Sequence, residues 1–297
     1  MVVVIDSGSL IQVLDQQPQR NMLVTWLQDN AARSVYLPTL AMEEALGVDD
    51  TTVIDRLIAM REMYEAAPER VLVAAGPGNA ILAEIERQQT TVVEESGFKV
   101  ASLVGANLST LRSYSRALRQ IAAQASLGKD FGFSTDRTGP EDYEQEFGAA
   151  MDVAKAVAMI EQLGALEPSN FGIAPAIELG NGRVTEEQLV GNPGRYPVAN
   201  LLAHLAYRHM LANSVPRSAG HQVLGIFRTK PEKKGGRGAW YDIGVAAISA
   251  LADHLITDDD NLKIRCDWLA ARNLLHFRTT TLADFLANVQ QGPRNGY

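Results

Sequence analysis

The chain has 297 residues, 46% apolar and 21% charged, enough to bury a sizeable core and too apolar for an intrinsically disordered chain. Its 27 basic side chains against 35 acidic ones leave a net charge of −8, which excludes a protein coated in positive charge for non-specific duplex binding but not a local basic groove. No run approaches the roughly 18 apolar residues of a spanning helix, Met1 to Asp6 lacks the basic lead of a secretory signal, and the single Cys266 excludes an intramolecular disulfide or a Cys-based zinc cluster. A cytoplasmic protein with no membrane partner is expected. The length suits roughly two domains, or one with a large insertion.

In chain order, Val2 to Ile5 is a short β-branched run without alternation, the pattern of a strand buried on both faces of a parallel sheet. It stops at Asp6-Ser7-Gly8-Ser9, and Leu10 to Leu14 opens a helix with Ser7 or Ser9 as its cap. Ser34 to Leu37 reads as a second strand, and Leu40 to Leu46 as a helix carrying Glu43 and Glu44. Thr52 to Ala66 reads as a further helix and Arg70 to Ala75 as a strand closed by Gly76-Pro77-Gly78. Residues 77–221 differ in character. Their periodic stretches, Ala80 to Gln89, Thr110 to Ala125, Tyr143 to Leu163 and Val198 to Ala212, are all helical. After His221 the alternation returns. Val223 to Phe227 reads as a strand, Arg228 to Gly238 as a basic, glycine-rich loop, and Asp242 to Asp253 as a helix of small residues. Leu255 to Thr257 reads as a strand ending in Asp258-Asp259-Asp260, Leu262 to Asn273 as a helix, Leu274 to Arg278 as a last strand and Leu282 to Val289 as a last helix. Strands alternating with helices define an α/β sheet.

Three carboxylate positions share one logic. Asp6 follows one buried strand, Asp258 to Asp260 follow another, and Asp242 opens a helix after a loop. Ligands of open α/β sheets bind beyond the carboxyl ends of the strands. Acids gathered there repel unless a proton or cation offsets their charge. Oxygen-only ligation suits Mg²⁺ or Mn²⁺, which can activate water and stabilise a phosphoryl transition state. Taken singly, Asp6 and Asp242 read equally well as helix caps and the triplet as a solvated turn.

Taken together, these stretches resemble the PIN-domain nucleases. The family's opening strand running into Asp-Ser/Thr is matched by Val2-Val3-Val4-Ile5-Asp6-Ser7, and its strand, Pro and Glu-bearing helix by Tyr36 to Leu46. Its Asp before an alanine-rich helix is matched by Tyr241-Asp242-Ile243-Gly244-Val245-Ala246-Ala247, and its Thr-x-Asp strand end by Thr257-Asp258-Asp259 with Leu262 three positions on. The Thr-rich turn before its final helix is matched by Thr279 to Leu286. The resemblance implies an α/β fold with a PIN-like central parallel sheet flanked by helices. The domain would comprise residues 1–76 and 222–297, with residues 77–221 as a helical insertion. It implies metal-binding and catalytic acids at Asp6, Glu44, Asp242 and Asp259, with Asp260 in reserve as a ligand and with Ser7 and Thr257 as hydroxyls that orient carboxylates or water. Glu44 is preferred to Glu43 for its distance from Pro38, and Asp259 for its register with Thr257. The implied activity is Mg²⁺- or Mn²⁺-dependent endonuclease action on RNA or single-stranded nucleic acid, with a toxin or defence effector as one such role. The alternative is a catalytically silent PIN-like nucleic-acid-binding or scaffold protein. Glu44 and Asp242 lie 198 positions apart, a departure from compact members that the insertion accounts for. Its size suggests substrate restriction, docking of an inhibitor protein, or a homo-oligomer.

Other features divide between site and surface. Arg228, Lys230, Lys233, Lys234 and Arg237 precede Asp242 and read as a phosphate-contacting flap or a solvated loop. Arg112, Arg116 and Arg119 share a helix face, as a substrate ridge or a solvated face. His204 and His209 lack the i, i+4 spacing of a helical zinc pair and, like His254 and His276, read as structural. Gly76-Pro77-Gly78-Asn79 lacks the Gly-Lys-Ser/Thr of a phosphate loop, and Cys266 has no partner in a nucleophile motif.

Overall fold

A computed structural model describes residues 1–46, 49–87, 91–124, 194–214, 237–271 and 273–290, with residues 185, 188 and 192. The expected strand Val223 to Phe227 and helix Tyr143 to Leu163 lie outside the described residues.

Among the described residues five parallel strands form one sheet: β1 (Val2–Ile5), β2 (Ser34–Pro38), β3 (Val71–Ala74), β4 (His254–Ile256) and β5 (Arg278–Thr280). Their spatial order is β3-β2-β1-β4-β5. The chain moves outward from β1 to β3, then returns to build the other half beside β1. The order therefore reverses between β1 and β4, where Val3 pairs with His254 and Ile5 with Ile256.

The unbroken apolar run of β1 follows from this central place. Successive side chains point to opposite faces, and both faces are covered. Val4, Tyr36 and Leu255 face one core cluster, whereas Val3, Ile5, Val35, Leu37 and Ile256 face the other. Each fully buried aliphatic side chain contributes about 1.5–3 kcal/mol.

On the second face lie α1 (Ser7–Asp15), α2 (Gln17–Gln28), α3 (Thr39–Leu46), α4 (Asp50–Ala66), α6 (Leu108–Gln124) and α10 (Leu282–Gln290). On the first face lie α5 (Pro77–Arg87), α7 (Pro197–Ser214), α8 (Arg237–Ile248) and α9 (Asp260–Ala270). Ala80 and Ile81 of α5 and Val198 and Leu202 of α7 share a core with Val4 and Ile243. The described parts of 77–221 are thus packed into the body of the molecule. The outer edge of β3 is covered by an antiparallel segment, with Glu95 N–H donating to the Val73 carbonyl and Ala75 N–H to that of Val93, both at 2.8 Å.

Several expected elements shift. The α8 helix begins at Arg237, so Asp242 is its sixth residue rather than its opening one. A cap contributes only about 1 kcal/mol, and packing of Ile243, Val245 and Ala246 in the core extends the helix upstream of it. The last strand covers 278–280 rather than 274–278. Leu275 and Phe277 are buried and His276 is exposed, which mimics a strand, but ladder pairing starts only at Arg278 with His254. The α9 helix ends at Ala270, short of Asn273, which has the left-handed φ of 57° that terminates helices. No element was expected over Gln17–Gln28, where a polar, proline-containing first turn hides the buried stripe Leu23, Trp26 and Leu27.

Candidate active site

The carboxyl ends of β1 and β4 lie side by side, and each strand runs directly into an acid. Asp6 N–H donates to the Ile256 carbonyl at 2.9 Å, closing the ladder at this end. Asp6 occupies the cap position of α1, yet its side chain makes no capping hydrogen bond. Instead its Oδ2 accepts from the Thr257 hydroxyl at 2.9 Å, across 251 positions, and Oδ1 takes a longer bond of 3.4 Å from the Ser7 hydroxyl. The capping account of Asp6 is therefore not the one its side chain follows. Asp6 is only 4% exposed. Burial pushes its carboxyl up to about 6, opposed by the Thr257 hydroxyl and the Ser7 backbone and reinforced by the charges of Asp259 and Glu44.

Thr257 links two acids. Its hydroxyl donates to Asp6 and accepts from Asp259 N–H at 3.1 Å. Asp259 caps α9, its Oδ1 accepting from Leu262 N–H at 2.8 Å, and it stays half-buried beside Asp6.

Asp242 arrives on α8. This helix of small residues is buried on most sides, packs against α3, α5, α7 and α9, and so reaches the sheet end closely. Burial raises the Asp242 carboxyl well above its ordinary range, and Asp6, Asp259 and Glu44 add to this while Arg265 opposes it. Tyr241, the preceding residue, donates its hydroxyl to Glu43 Oε2 on α3. That bond ties α8 to α3. Glu43 is thereby engaged, whereas Glu44, next on the helix, is exposed and close enough to act on both Asp6 and Asp242.

Asp6, Glu44, Asp242 and Asp259 are thus brought together, with Ser7 and Thr257 beside them. Asp260 is exposed on the first turn of α9, outside the set of charges that act on Asp6 and Asp242. Arg228, Lys230, Lys233 and Lys234 lie outside the described residues, and Arg237 opens α8 with its side chain outside them. His204 is buried on α7, as expected of a structural histidine.

Four residues here have a part that the sequence did not assign to them. Asp258, the first acid of the triplet, braces the site: Oδ2 accepts from Ser9 (3.1 Å) and Gln12 (3.0 Å), and Oδ1 from Leu282 N–H (3.1 Å). Tyr241 ties α8 to α3. Thr39, at the carboxyl end of β2, has a buried hydroxyl with no partner. Arg265 is 4% exposed on the buried stripe of α9, and its Nε and Nη1 lack acceptors. Asp258 was legible as part of an acidic run, but its bracing role depends on contacts 24 to 249 positions away. Nothing local marks Arg265 as buried.

Oxygen ligands suit hard divalent cations such as Mg²⁺ and Mn²⁺. Two buried acids whose charged forms are disfavoured are chemically consistent with such a cation. Among the described residues no three Asp, Glu, His or Cys side chains converge into a ready-made cage. The acids are gathered without closing on one point. Compared with known proteins, the chain matches no family model, no curated protein and no solved structure at a significant level.

Proposed function

We propose that the chain is a divalent-metal-dependent nuclease with a PIN-like body, hydrolysing phosphodiester bonds of RNA or single-stranded nucleic acid. The observation that carries this reading is the gathering of Asp6, Glu44, Asp242 and Asp259 at the point where the strand order reverses. Crevices at such points are where open α/β sheets bind ligands. The preference for RNA rests on the family resemblance, as does a toxin or defence role.

Asp6, Asp242 and Asp259 would hold Mg²⁺ or Mn²⁺, with Glu44 completing the set directly or through water. When bound, the ion supplies Lewis acidity toward a phosphate oxygen and lowers the pKa of a bound water. The chain's own residues do the positioning. Thr257 fixes the orientation of Asp6 while holding the Asp259 backbone. Tyr241 holds α8 against α3 through Glu43, which keeps Asp242 opposite Glu44. Glu44 is the exposed member of the four acids and faces solvent. The cations at 228, 230, 233, 234 and 237 precede Asp242 in sequence, and we assign phosphate contacts to them on that ground. The double variant Lys233→Ala with Lys234→Ala should weaken substrate binding and flatten its salt dependence more than it slows turnover.

A second reading, a catalytically silent PIN-like binding or scaffold protein, is favoured by the open arrangement of the acids. One experiment separates them. Cleavage of mixed RNA and single-stranded DNA is compared for wild type and Asp242→Asn, with Mn²⁺, with Mg²⁺ and with chelator, beside a calorimetric Mn²⁺ titration. The nuclease reading expects metal-dependent cutting that Asp242→Asn abolishes, and Mn²⁺ binding it weakens at least about tenfold, a loss of about 1.4 kcal/mol. Absence of Mn²⁺ binding at millimolar concentration would remove the enzyme reading and leave the silent one.

A further inference from the structure

The arginines of α6 take no part in the site as described, yet α6 packs directly on α3, the helix that carries Glu44. The burial pattern of α6 orients it. Leu111 and Ser115 are buried, Tyr114 is half-buried, and Arg112 and Arg116 are exposed. At 3.6 residues per turn, Tyr114 is about 200° from both Arg112 and Arg116. Tyr114 and these arginines therefore occupy opposite flanks of the buried stripe. The Tyr114 flank is located by its edge-to-face contact with Phe98, ring centroids 5.9 Å apart. Phe98 leads into the 3₁₀ turn Val100–Leu103, which packs on α4. Tyr114 thus marks the α4 side of α6, and the arginine flank is the α3 side.

Several other arginines of the described residues are engaged. Arg20 pairs with Glu62, Arg33 with Asp29, Arg56 with Asp15 and Arg61 with Glu65, and Arg70 donates to the Leu27 carbonyl. Among the described residues Arg112 and Arg116 have neither an ion pair nor a hydrogen bond. Like charges at i, i+4 on a helix repel, and in a chain with eight more acids than bases acidic partners are plentiful. Two exposed guanidiniums one helical turn apart, on a helix that packs against the carrier of Glu44, are suited to phosphate oxygens.

We propose that the α3-side flank of α6, through Arg112 and Arg116, is a phosphate track that carries single-stranded RNA past the carboxylate site. The inference rests on the nuclease reading. The acids repel a phosphodiester until a cation is present, so a fixed basic rim beside them holds the strand by phosphates flanking the one that reacts. Backbone contacts of this kind position a strand without reading its sequence.

The test measures binding without chemistry. Anisotropy of a fluorescein-labelled oligouridylate is followed with the full chain in excess chelator over a series of salt concentrations. Variants are Arg112→Gln with Arg116→Gln, and, as a control, Arg278→Gln, which removes one exposed cation at the opposite, amino end of the sheet. Melting curves establish that each variant is folded. Wild type should bind with salt-dependent affinity. The double variant should bind about tenfold more weakly, with a log–log salt slope shallower by about 1.4, since each single-strand phosphate contact contributes about 0.7. Arg278→Gln should change neither by as much. Unchanged affinity and slope in the double variant, an equal loss in the control, or no binding by wild type would each overturn the track. Cleavage of the same oligouridylate in Mn²⁺ is read separately. A protein that binds through α6 and never cuts keeps the track and loses the nuclease. One that cuts with the double variant unaffected in KM and salt slope does the reverse.

Discussion

At Asp6 the same burial that suits the carboxylate to a cation works against the fold. Its carboxyl lies at about 6 instead of 3.8, so the folded chain holds this proton more tightly than the unfolded one. The stabilisation is therefore complete below about 4 and is lost as pH rises through about 6. Without metal, Asp6→Asn should melt higher than wild type at pH 8, by up to about 2–3 kcal/mol, and differ little at pH 4. Calorimetry at the two pH values checks this, and a lower melting temperature at pH 8 would restore the capping account. Metal binding has the opposite dependence, because a cation must displace these protons. Mn²⁺ affinity should rise with pH through about 6 in wild type. Arg265 acts on the same balance. A fixed cation repels Mn²⁺ more than the proton Mn²⁺ displaces, so Arg265→Met should strengthen Mn²⁺ binding several-fold and Arg265→Lys should leave it near wild type, as titration of both variants would reveal.

Two side chains at the element scale do what no cap does. Arg56 on α4 donates Nε and Nη2 to the two Asp15 oxygens at 2.7 and 2.6 Å, and Nη1 to the Ala45 carbonyl. One guanidinium thus holds the last turns of α1 and α3, the helices that begin at Asp6 and carry Glu44. Arg56→Met should cost about 2 kcal/mol, since hydrogen bonds to charged groups contribute about 1.5–3 kcal/mol and Asp15 remains partly solvated. Denaturant unfolding would register it as a lower midpoint with an unchanged slope. Asp258 does the same at the other end of α1, gathering Ser9, Gln12 and the start of α10. It is exposed, so Asp258→Ala should cost only about 1–2 kcal/mol, with a larger relative effect on Mn²⁺ affinity than on stability if Asp258 positions the site.

Over the whole molecule, the junction between α5 and α7 is also pH-sensitive. Glu84 is fully buried and accepts from Val198 N–H at 2.7 Å and Ala199 N–H at 3.2 Å. It caps a helix 114 positions away, and those two donors belong to the first turn that helices leave unsatisfied. Burial nonetheless raises its carboxyl to about 7 from 4.5. Its contribution is therefore greatest below about pH 4.5 and lost as pH rises through about 7. Hydrogen-exchange protection at Val198 and Ala199 should fall between pH 6 and 9 relative to amides in β1, and Glu84→Gln should remove that dependence. A flat profile in wild type would show that Glu84 does not govern the docking of α7.

Much of this architecture was legible in the linear chain because its signals are local. Runs such as Val2 to Ile5 announce strands buried on both faces, the acids that follow them announce a crevice at strand ends, and the register of Asp259 with Thr257 singles out one acid of the triplet only through the family resemblance. The start of α8, the register of β5 and the existence of α2 were not legible, because each is set by what packs against it: Ile243 and Ala246 in the core, the His254 ladder, the buried Leu23–Leu27 stripe. Between Glu43 and Glu44 the family resemblance prefers the second, and no local signal explains why. Both are acids on one turn of one helix, and a Tyr241 hydroxyl from the far end of the chain engages the first, leaving the second exposed at the site. Hydrophobic periodicity depends on neighbours a few residues away, whereas desolvation and hydrogen-bond partnership depend on neighbours in space. The strand-end acids could therefore be read from sequence, and the burial that raises the pKa of Asp6 and Asp242 arises only once five strands and their helices close around them.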